Sequence, residues 1–129
     1  MGLAERRAVQ TVKETDFKNF EAGVKALCGF DLKLDFDWAA LEGNKECVWI
    51  CENKKFNGFM FEKITEALTS ICVDAMGKTA LQEKVKEIKM NPVAGELEFS
   101  AGVLTVNNDL TGSGAWGADQ IKAKLEKEL

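Results

Sequence analysis

The sequence contains no histidine and no tyrosine, and these absences restrict its chemistry more than any motif that it carries. Histidine is the usual general base near neutral pH and a frequent metal ligand. Its absence therefore excludes a Ser-His-Asp triad, a Cys-His pair and a histidine-based zinc site. The lack of tyrosine removes the phenol as an acid or a base. Catalysis by this chain would depend on carboxylates, lysines, thiols or hydroxyls.

Long apolar runs are also missing, because no stretch approaches the roughly 20 residues that a membrane-spanning helix needs. The charged N-terminal residues are not followed by the apolar core of a signal peptide. We therefore expect no membrane contact and a cytoplasmic location. The chain has 17 basic and 21 acidic residues, a formal net charge of -4, and no basic stripe. These features predict that it does not bind nucleic acid.

Cysteine occurs four times, as Cys28, Cys47, Cys51 and Cys72, each time within an apolar stretch. Without a secretory signal, this pattern favours free buried thiols over a disulfide framework. If the run Cys47–Cys51 is a strand, its two thiols lie about 13 Å apart, which is too far for a disulfide or a single zinc ion. On a helix the two thiols would be adjacent and, with Cys28 and Cys72, could form a tetrathiolate site, but structural zinc ligands usually come as two close pairs and only one pair exists here. We therefore predict no metal site, with a lone reactive thiol as the alternative to buried structural thiols.

Helical spacing runs from Leu3 to about Cys28 and stops at Gly29, a residue typical of helix C-termini. Near Thr15 and Asp16 the apolar stripe changes phase. One kinked helix or two short helices would explain this change, and we favour two, with Thr15 or Asp16 as the second cap.

Strict alternation of apolar and polar residues from Phe30 to Trp38 predicts a half-buried strand. One helical turn is expected at Trp38–Leu41, and the compact apolar run Cys47–Cys51 predicts a second strand. Helical spacing then resumes from Phe56 to Met76.

The C-terminal half is expected to begin with a break at Gly77, followed by a helix opened by the capping box Thr79–Gln82. A strand near Ile88 and a hairpin over Glu96–Val106 follow. In the hairpin, Leu97 and Phe99 should pair with Leu104 and Val106, and Gly102 should supply the positive φ of the turn. The last helix is predicted at about Ala115–Glu128.

Together these elements predict a single α+β domain over residues 1–129, with N-terminal and C-terminal helices. We expect two layers: a mostly antiparallel sheet of four to five strands, packed on one face by helices. The strand near Ile88 and the hairpin should form a three-strand meander.

The glycines Gly112, Gly114 and Gly117 match the dinucleotide fingerprint G-x-G-x-x-G. The preceding strand, however, belongs to a predicted hairpin, whereas the fingerprint needs a parallel βαβ unit. We therefore expect no cofactor.

Asp31, Asp35 and Asp37 are expected on one side of the first strand. A solvated outer face is the ordinary explanation for such a row. If that face is open, it is the best candidate surface for a basic partner.

Four further residues are candidates on other grounds. Asp74 falls towards the apolar side of its predicted helix, so it is a candidate buried carboxylate, although an ordinary bond to a backbone amide is the favoured explanation. The aromatics Trp49, Phe59 and Trp116 are not explained by the apolar stripes. A second core layer accounts for them, or alternatively a partner-binding surface.

Three function classes remain. The first is a non-enzymatic protein-interaction module, binding or inhibitor-like, that takes a protein partner or forms a homodimer. The second is a small-molecule binding protein with an apolar pocket between sheet and helices, lined by Phe36, Trp38, Met60 or Phe99. The third is an enzyme that uses a carboxylate such as Asp74, a lysine or a thiol.

Overall fold

The fold combines helices with a four-strand sheet, and the computed structural model describes residues 2–43, 48–49, 51, 61–93, 95–108 and 116–129. The helical elements are α1 (Leu3–Thr11), a π-helical segment (Val12–Asp16), α2 (Phe17–Cys28), α3 (Trp38–Glu42), α4 (Phe61–Ile71), α5 (Ala75–Lys84) and α6 (Ala118–Glu128). The strands are β1 (Lys33–Phe36), β2 (Glu87–Asn91), β3 (Leu97–Ser100) and β4 (Val103–Asn107). Within these ranges, no helix has the length and apolar character needed to cross a bilayer.

The sheet is mixed, in the order β1-β2-β4-β3, which confirms the α+β class but shows that a mostly antiparallel sheet was the wrong prediction. β1 pairs with β2 and β2 with β4 in parallel, and only β3 and β4 are antiparallel. Helices separate β1 from β2 along the chain, and such a crossover returns the chain to the same end of the sheet. The alternation of apolar residues determines which face is buried, but not which strand lies next to which.

The β3–β4 hairpin has the predicted register, with Leu97 opposite Val106 and Phe99 opposite Leu104. Both turn residues have positive φ, 53° at Ala101 and 83° at Gly102, as a type I′ turn requires. The three-strand meander is wrong, because β4 rather than β3 lies beside β2. β3 runs back along the outer side of β4, and this return path lets β4 run parallel to β2.

One face of the sheet packs on the helices and forms the core. Ile88, Met90, Leu104 and Val106 are fully buried on this face. On the helical side, α4 packs against both α2 and α6. The opposite face is polar and carries the ion pair between Lys33 and Glu87, with 3.2 Å between Nζ and Oε2. This polar face, with the exposed residues Lys33, Asp35 and Lys89, is therefore turned towards solvent.

Several predicted boundaries differ from the structure. Val48, Trp49 and Cys51 are helical, so a strand at Cys47–Cys51 was the wrong prediction for the residues described there. β1 covers only Lys33–Phe36. The chain leaves the sheet after β1 because Asp37 caps α3, and the helical turn predicted at Trp38 is confirmed.

The break between α4 and α5 comes earlier than predicted. α4 ends at Ile71, and α5 begins at Ala75 with Asp74 as its N-cap, so neither Gly77 nor the box at Thr79 marks the boundary. Residues 56–60, where the predicted helix would begin, lie outside the described residues. The C-terminal stop of α2 at Gly29 is confirmed, with φ of 79°.

Candidate functional site

The N-terminal helices form one continuous helical run rather than two capped helices. Between α1 and α2 the backbone widens into the π-helical segment, and Asp16 makes no side-chain capping bond there. A π turn accommodates an extra residue, so Val12 and Phe17, five positions apart, are both buried. The phase change in the apolar stripe is therefore the sequence signature of this π segment, and single π turns occur frequently at functional sites.

A cluster of aromatic rings lies beneath the π segment and joins the helices to β1. The rings of Phe20 and Phe61 stack with centroids 4.7 Å apart, and those of Phe36 and Trp38 are 4.4 Å apart. Phe17 meets Trp38 edge to face at 5.4 Å. These contacts hold α3 against the helical run that contains the π segment.

A groove of about 530 Å³ opens between this helical run and α3, and we call it the α1–α3 groove. Its apolar lining consists of Val9, Phe17 and Trp38, of which the first two are buried. Its polar lining consists of Arg6, Gln10, Lys13, Glu14, Lys18 and Glu42. Polar side chains from the helical run and from α3 therefore lie around the aromatic rings of Phe17 and Trp38.

The charges in the α1–α3 groove differ from those of the chain as a whole. Three cations and two carboxylates line it, whereas the net charge of the protein is -4. Glu14 accepts a hydrogen bond of 2.8 Å from Gln10. The Lys13 Nζ atom lies 5.8 Å from the centroid of the Trp38 ring, within the range of a cation–π contact. The groove thus presents positive charge beside an aromatic ring.

A second cleft, of about 340 Å³, lies between α2 and α4 and is acidic. Asp16, Glu62 and Glu66 line it beside the stacked rings of Phe20 and Phe61. Burial raises the pKa of Asp16 above its ordinary value, because the charged carboxylate loses solvent. These carboxylates come from distant parts of the sequence, so the sequence pattern did not identify them as a group.

The predicted carboxylate row is not a free acidic surface. Asp31 precedes β1 and pairs with Lys25, with 3.1 Å between Nζ and Oδ1 and both side chains exposed. Asp35 is exposed on the outer face of β1, opposite Lys89 of β2 in the strand register. Lysines therefore lie near both carboxylates.

Asp37 and Asp74 have the same structural role, because each caps a helix. The Asp37 carboxylate accepts a hydrogen bond of 3.0 Å from the amide of Ala40, and Asp74 accepts one of 2.8 Å from the amide of Gly77. Asp74 is exposed, so it is not a buried carboxylate, and its bond to the Gly77 amide is the structural role that the sequence analysis favoured. The prediction had placed Asp74 on the apolar side of the helix from Phe56 to Met76, but α4 ends at Ile71, before Asp74.

Replacing Asp74 with alanine should lower the free energy of unfolding by about 1 kcal/mol, because the first turn of α5 loses its side-chain acceptor. The Asp74→Asn variant should retain most of that stability, since asparagine caps equally well. Urea unfolding measures both variants. Equal losses in the two would show that the carboxylate charge, rather than the cap, is what matters.

The three candidate aromatics have different surroundings. Trp49 is helical and 55% exposed. Trp116 is half-buried, and its indole Nε1 donates to the carbonyl of Asn107 at 3.0 Å, while its amide donates to the Asn108 side chain. Phe59 lies outside the described residues. Trp116 therefore anchors the start of the last helix to the end of β4.

Two of the cysteines meet in the core. The sulfur atoms of Cys28 and Cys72 are 3.6 Å apart, and both residues are buried. Burial, together with the adjacent Cys72 side chain, raises the pKa of the Cys28 thiol to about 12. Cys51 is buried as well. Among the described residues, no group of three or more cysteines and carboxylates is arranged to hold a metal ion.

The residues of the alternative apolar pocket do not come together at the α1–α3 groove. Trp38 lines it, whereas Phe36 is buried in the core and Phe99 is half-buried on β3. Met60 lies outside the described residues. The groove residues Arg6 and Lys13 were missed because nothing local in the sequence indicates that α3 packs beside them.

Comparison of the chain with models of known families, with curated proteins and with solved structures finds no match. The geometry of the site therefore carries the functional argument.

Proposed function

We propose that this protein is a non-enzymatic protein-interaction module and that the α1–α3 groove receives a segment of its partner. The observation that carries the proposal is the presence of Trp38 in the lining of the groove with Lys13 beside its ring. Tryptophan and arginine are the residue types most enriched among those that dominate binding energy at interfaces. Trp38 and Arg6 both line this groove.

The groove offers binding groups rather than an obvious nucleophile. No hydroxyl or thiol is found among the side chains that line it in the described part of the chain. One of its carboxylates, Glu14, is engaged by Gln10. Aromatic rings inside a polar rim are typical of protein interfaces. A partner side chain loses its water where it packs on the rings, and the surrounding rim excludes water from that contact.

Photo-crosslinking in the native host tests this proposal. A photoreactive amino acid replaces Glu42 on the α3 wall of the groove, and in a parallel protein it replaces Glu98, which is exposed on the outer face of β3. We expect a covalent product with a defined polypeptide only from position 42. The charge reversal Arg6→Glu with Lys13→Glu should abolish that product.

The matched control is the double reversal Lys84→Glu with Lys127→Glu, which changes the net charge equally at exposed positions outside the groove. It should leave the crosslinked product unchanged. A product that forms equally well from position 98, or that survives the reversal in the groove, would contradict the assignment of the site. Absence of any polypeptide product would contradict the function.

A small-molecule binding protein is the second candidate, and the size of the groove favours it. About 530 Å³ lies within the range of roughly 300–1,000 Å³ that is typical of ligand sites. Native mass spectrometry of gently purified protein separates the two candidates. A polypeptide adduct supports the interaction module, and a small adduct supports the ligand-binding protein.

A further inference from the structure

We propose that the partner segment bound in the α1–α3 groove is acidic and carries an aromatic or large apolar side chain. This inference rests on the proposed function and deepens it by naming the chemistry of the partner. The local charge of the groove and its aromatic rings point to the same kind of segment.

The first argument comes from cations that have few partners within the protein. In the described part of the chain, the Arg6 side chain makes no hydrogen bond or ion pair. Lys13 has only its contact with Trp38. A guanidinium can bind a carboxylate by donating two parallel hydrogen bonds. An ammonium that lies over an aromatic ring can still donate a hydrogen bond to an anion. Both cations are therefore available to a carboxylate partner.

The spacing of these cations adds geometry. Arg6 and Lys13 are seven residues apart on one helical run, which corresponds to about 10 Å along the axis. Between them the run presents Val9 to the same groove, and Trp38 faces it from α3. An apolar side chain flanked on both sides by carboxylates matches this arrangement.

The second argument comes from the carboxylates of the groove. Glu14 and Glu42 bring two negative charges against the three positive charges of Arg6, Lys13 and Lys18, so the groove has a small positive excess. In the described part of the chain neither carboxylate forms an ion pair with Arg6 or Lys13, so both cations can still pair with a carboxylate of the partner.

The net charge of the whole chain makes the opposite prediction, and this contrast makes the inference testable. A protein with a net charge of -4 should attract a basic segment, and the acidic cleft of Asp16, Glu62 and Glu66 offers such a segment a place to bind. If local charge dominates, an acidic segment binds beside Arg6 instead. Contacts at close range outweigh the screened net charge at physiological salt.

The experiment uses three synthetic peptides and the full chain labelled with ¹⁵N. The acidic probe is acetyl-Asp-Glu-Phe-Asp-Glu-amide, the basic probe replaces its acidic residues with lysine, and the third probe replaces phenylalanine of the acidic peptide with glycine. Chemical-shift changes locate each probe. The indole signal of Trp38 reports on the groove, and that of Trp116, which is bonded to Asn107, serves as a reference.

We expect the acidic probe to shift Arg6, Lys13 and Trp38 and to bind there roughly tenfold more tightly than either other probe. The variant Arg6→Gln with Lys13→Gln should weaken the acidic probe roughly tenfold. The matched variant Lys84→Gln with Lys127→Gln should leave its affinity unchanged.

Preference of the groove for the basic probe, or binding of the acidic probe elsewhere or not at all, would overturn the inference. A crosslinked polypeptide from position 42 would still support the interaction function in each of these cases. If that product is lost but the acidic probe binds tightly in the groove, the preference for an acidic segment stands and the interaction function is contradicted.

Discussion

Replacing Gly77 with alanine is expected to lower the free energy of unfolding by about 3 kcal/mol, although alanine favours helices. A Cβ atom at Gly77 would lie 1.7 Å from the carbonyl oxygen of Ile71 and 2.8 Å from its carbonyl carbon. Both obstacles are backbone atoms, so no side chain can move aside. The turn between α4 and α5 would have to open, and the bond from the Gly77 amide to Asp74 would be lost with it.

The matched control is Gly23→Ala in α2, where a Cβ atom would meet nothing within 4 Å. That variant should be stabilised by about 0.5–1 kcal/mol, because alanine restricts the unfolded chain and favours the helix. Thermal and urea unfolding of the two variants provide the comparison. If Gly77→Ala is as stable as the parent protein, the close approach of α5 to the end of α4 is not maintained in solution.

The elements that could be predicted are those determined by neighbours along the chain. The β3–β4 hairpin is the clearest case, because Gly102 at the turn and the alternating residues Leu97 and Val106 specify the same register. The end of α2 at Gly29 has the same local origin. In each case a single conformation satisfies both the turn and the burial of apolar residues.

The elements that could not be predicted depend on contacts between distant residues. The parallel pairing of β2 with β4 buries the same side chains as a meander would, so the burial pattern does not distinguish them. The run around Val48 and Trp49 is short and apolar, and such runs fit either a strand or a buried helix. The start of α5 is different, because it is set locally by the Asp74 cap and by the close approach of Gly77 to Ile71, and it was missed because the helical spacing of apolar residues continues through the break.

The candidate site likewise combines a local feature that the sequence indicated with a tertiary contact that it did not. The phase change near Thr15 and Asp16 indicated an irregularity in the helix, and the structure explains it by the π segment. The α1–α3 groove itself requires Trp38 to pack against Phe17, which is a tertiary contact. Three carboxylates close together in sequence, by contrast, proved to have separate local roles. Proximity in sequence was therefore a poor guide to a shared site.

A disulfide between Cys28 and Cys72 should raise the free energy of unfolding by about 4 kcal/mol relative to the dithiol form. The two residues are 44 positions apart, and a cross-link that closes so long a loop removes much of the conformational entropy of the unfolded chain. Their sulfur atoms lie 3.6 Å apart, so bond formation requires a movement of about 1.5 Å from the contact distance.

The reaction should nevertheless be slow in the folded protein. Exchange proceeds through the thiolate, and burial raises the pKa of the Cys28 thiol to about 12, which lowers its thiolate fraction at neutral pH. Oxidised glutathione should therefore form the bond mainly during refolding or at alkaline pH, with release of two molecules of reduced glutathione. Because both residues are buried, thiol reagents should label this pair only after unfolding.

The decisive protein carries Cys47→Ala and Cys51→Ala, so that only one disulfide can form. After refolding with oxidised glutathione we expect a mass loss of 2 Da, and a higher urea midpoint that reduction reverses. Adding Cys72→Ala to the same background should abolish both changes. A lower midpoint for the oxidised form would mean that the helix ends cannot bring the sulfur atoms together without strain, because the core around Cys28 is too tightly packed to absorb the movement.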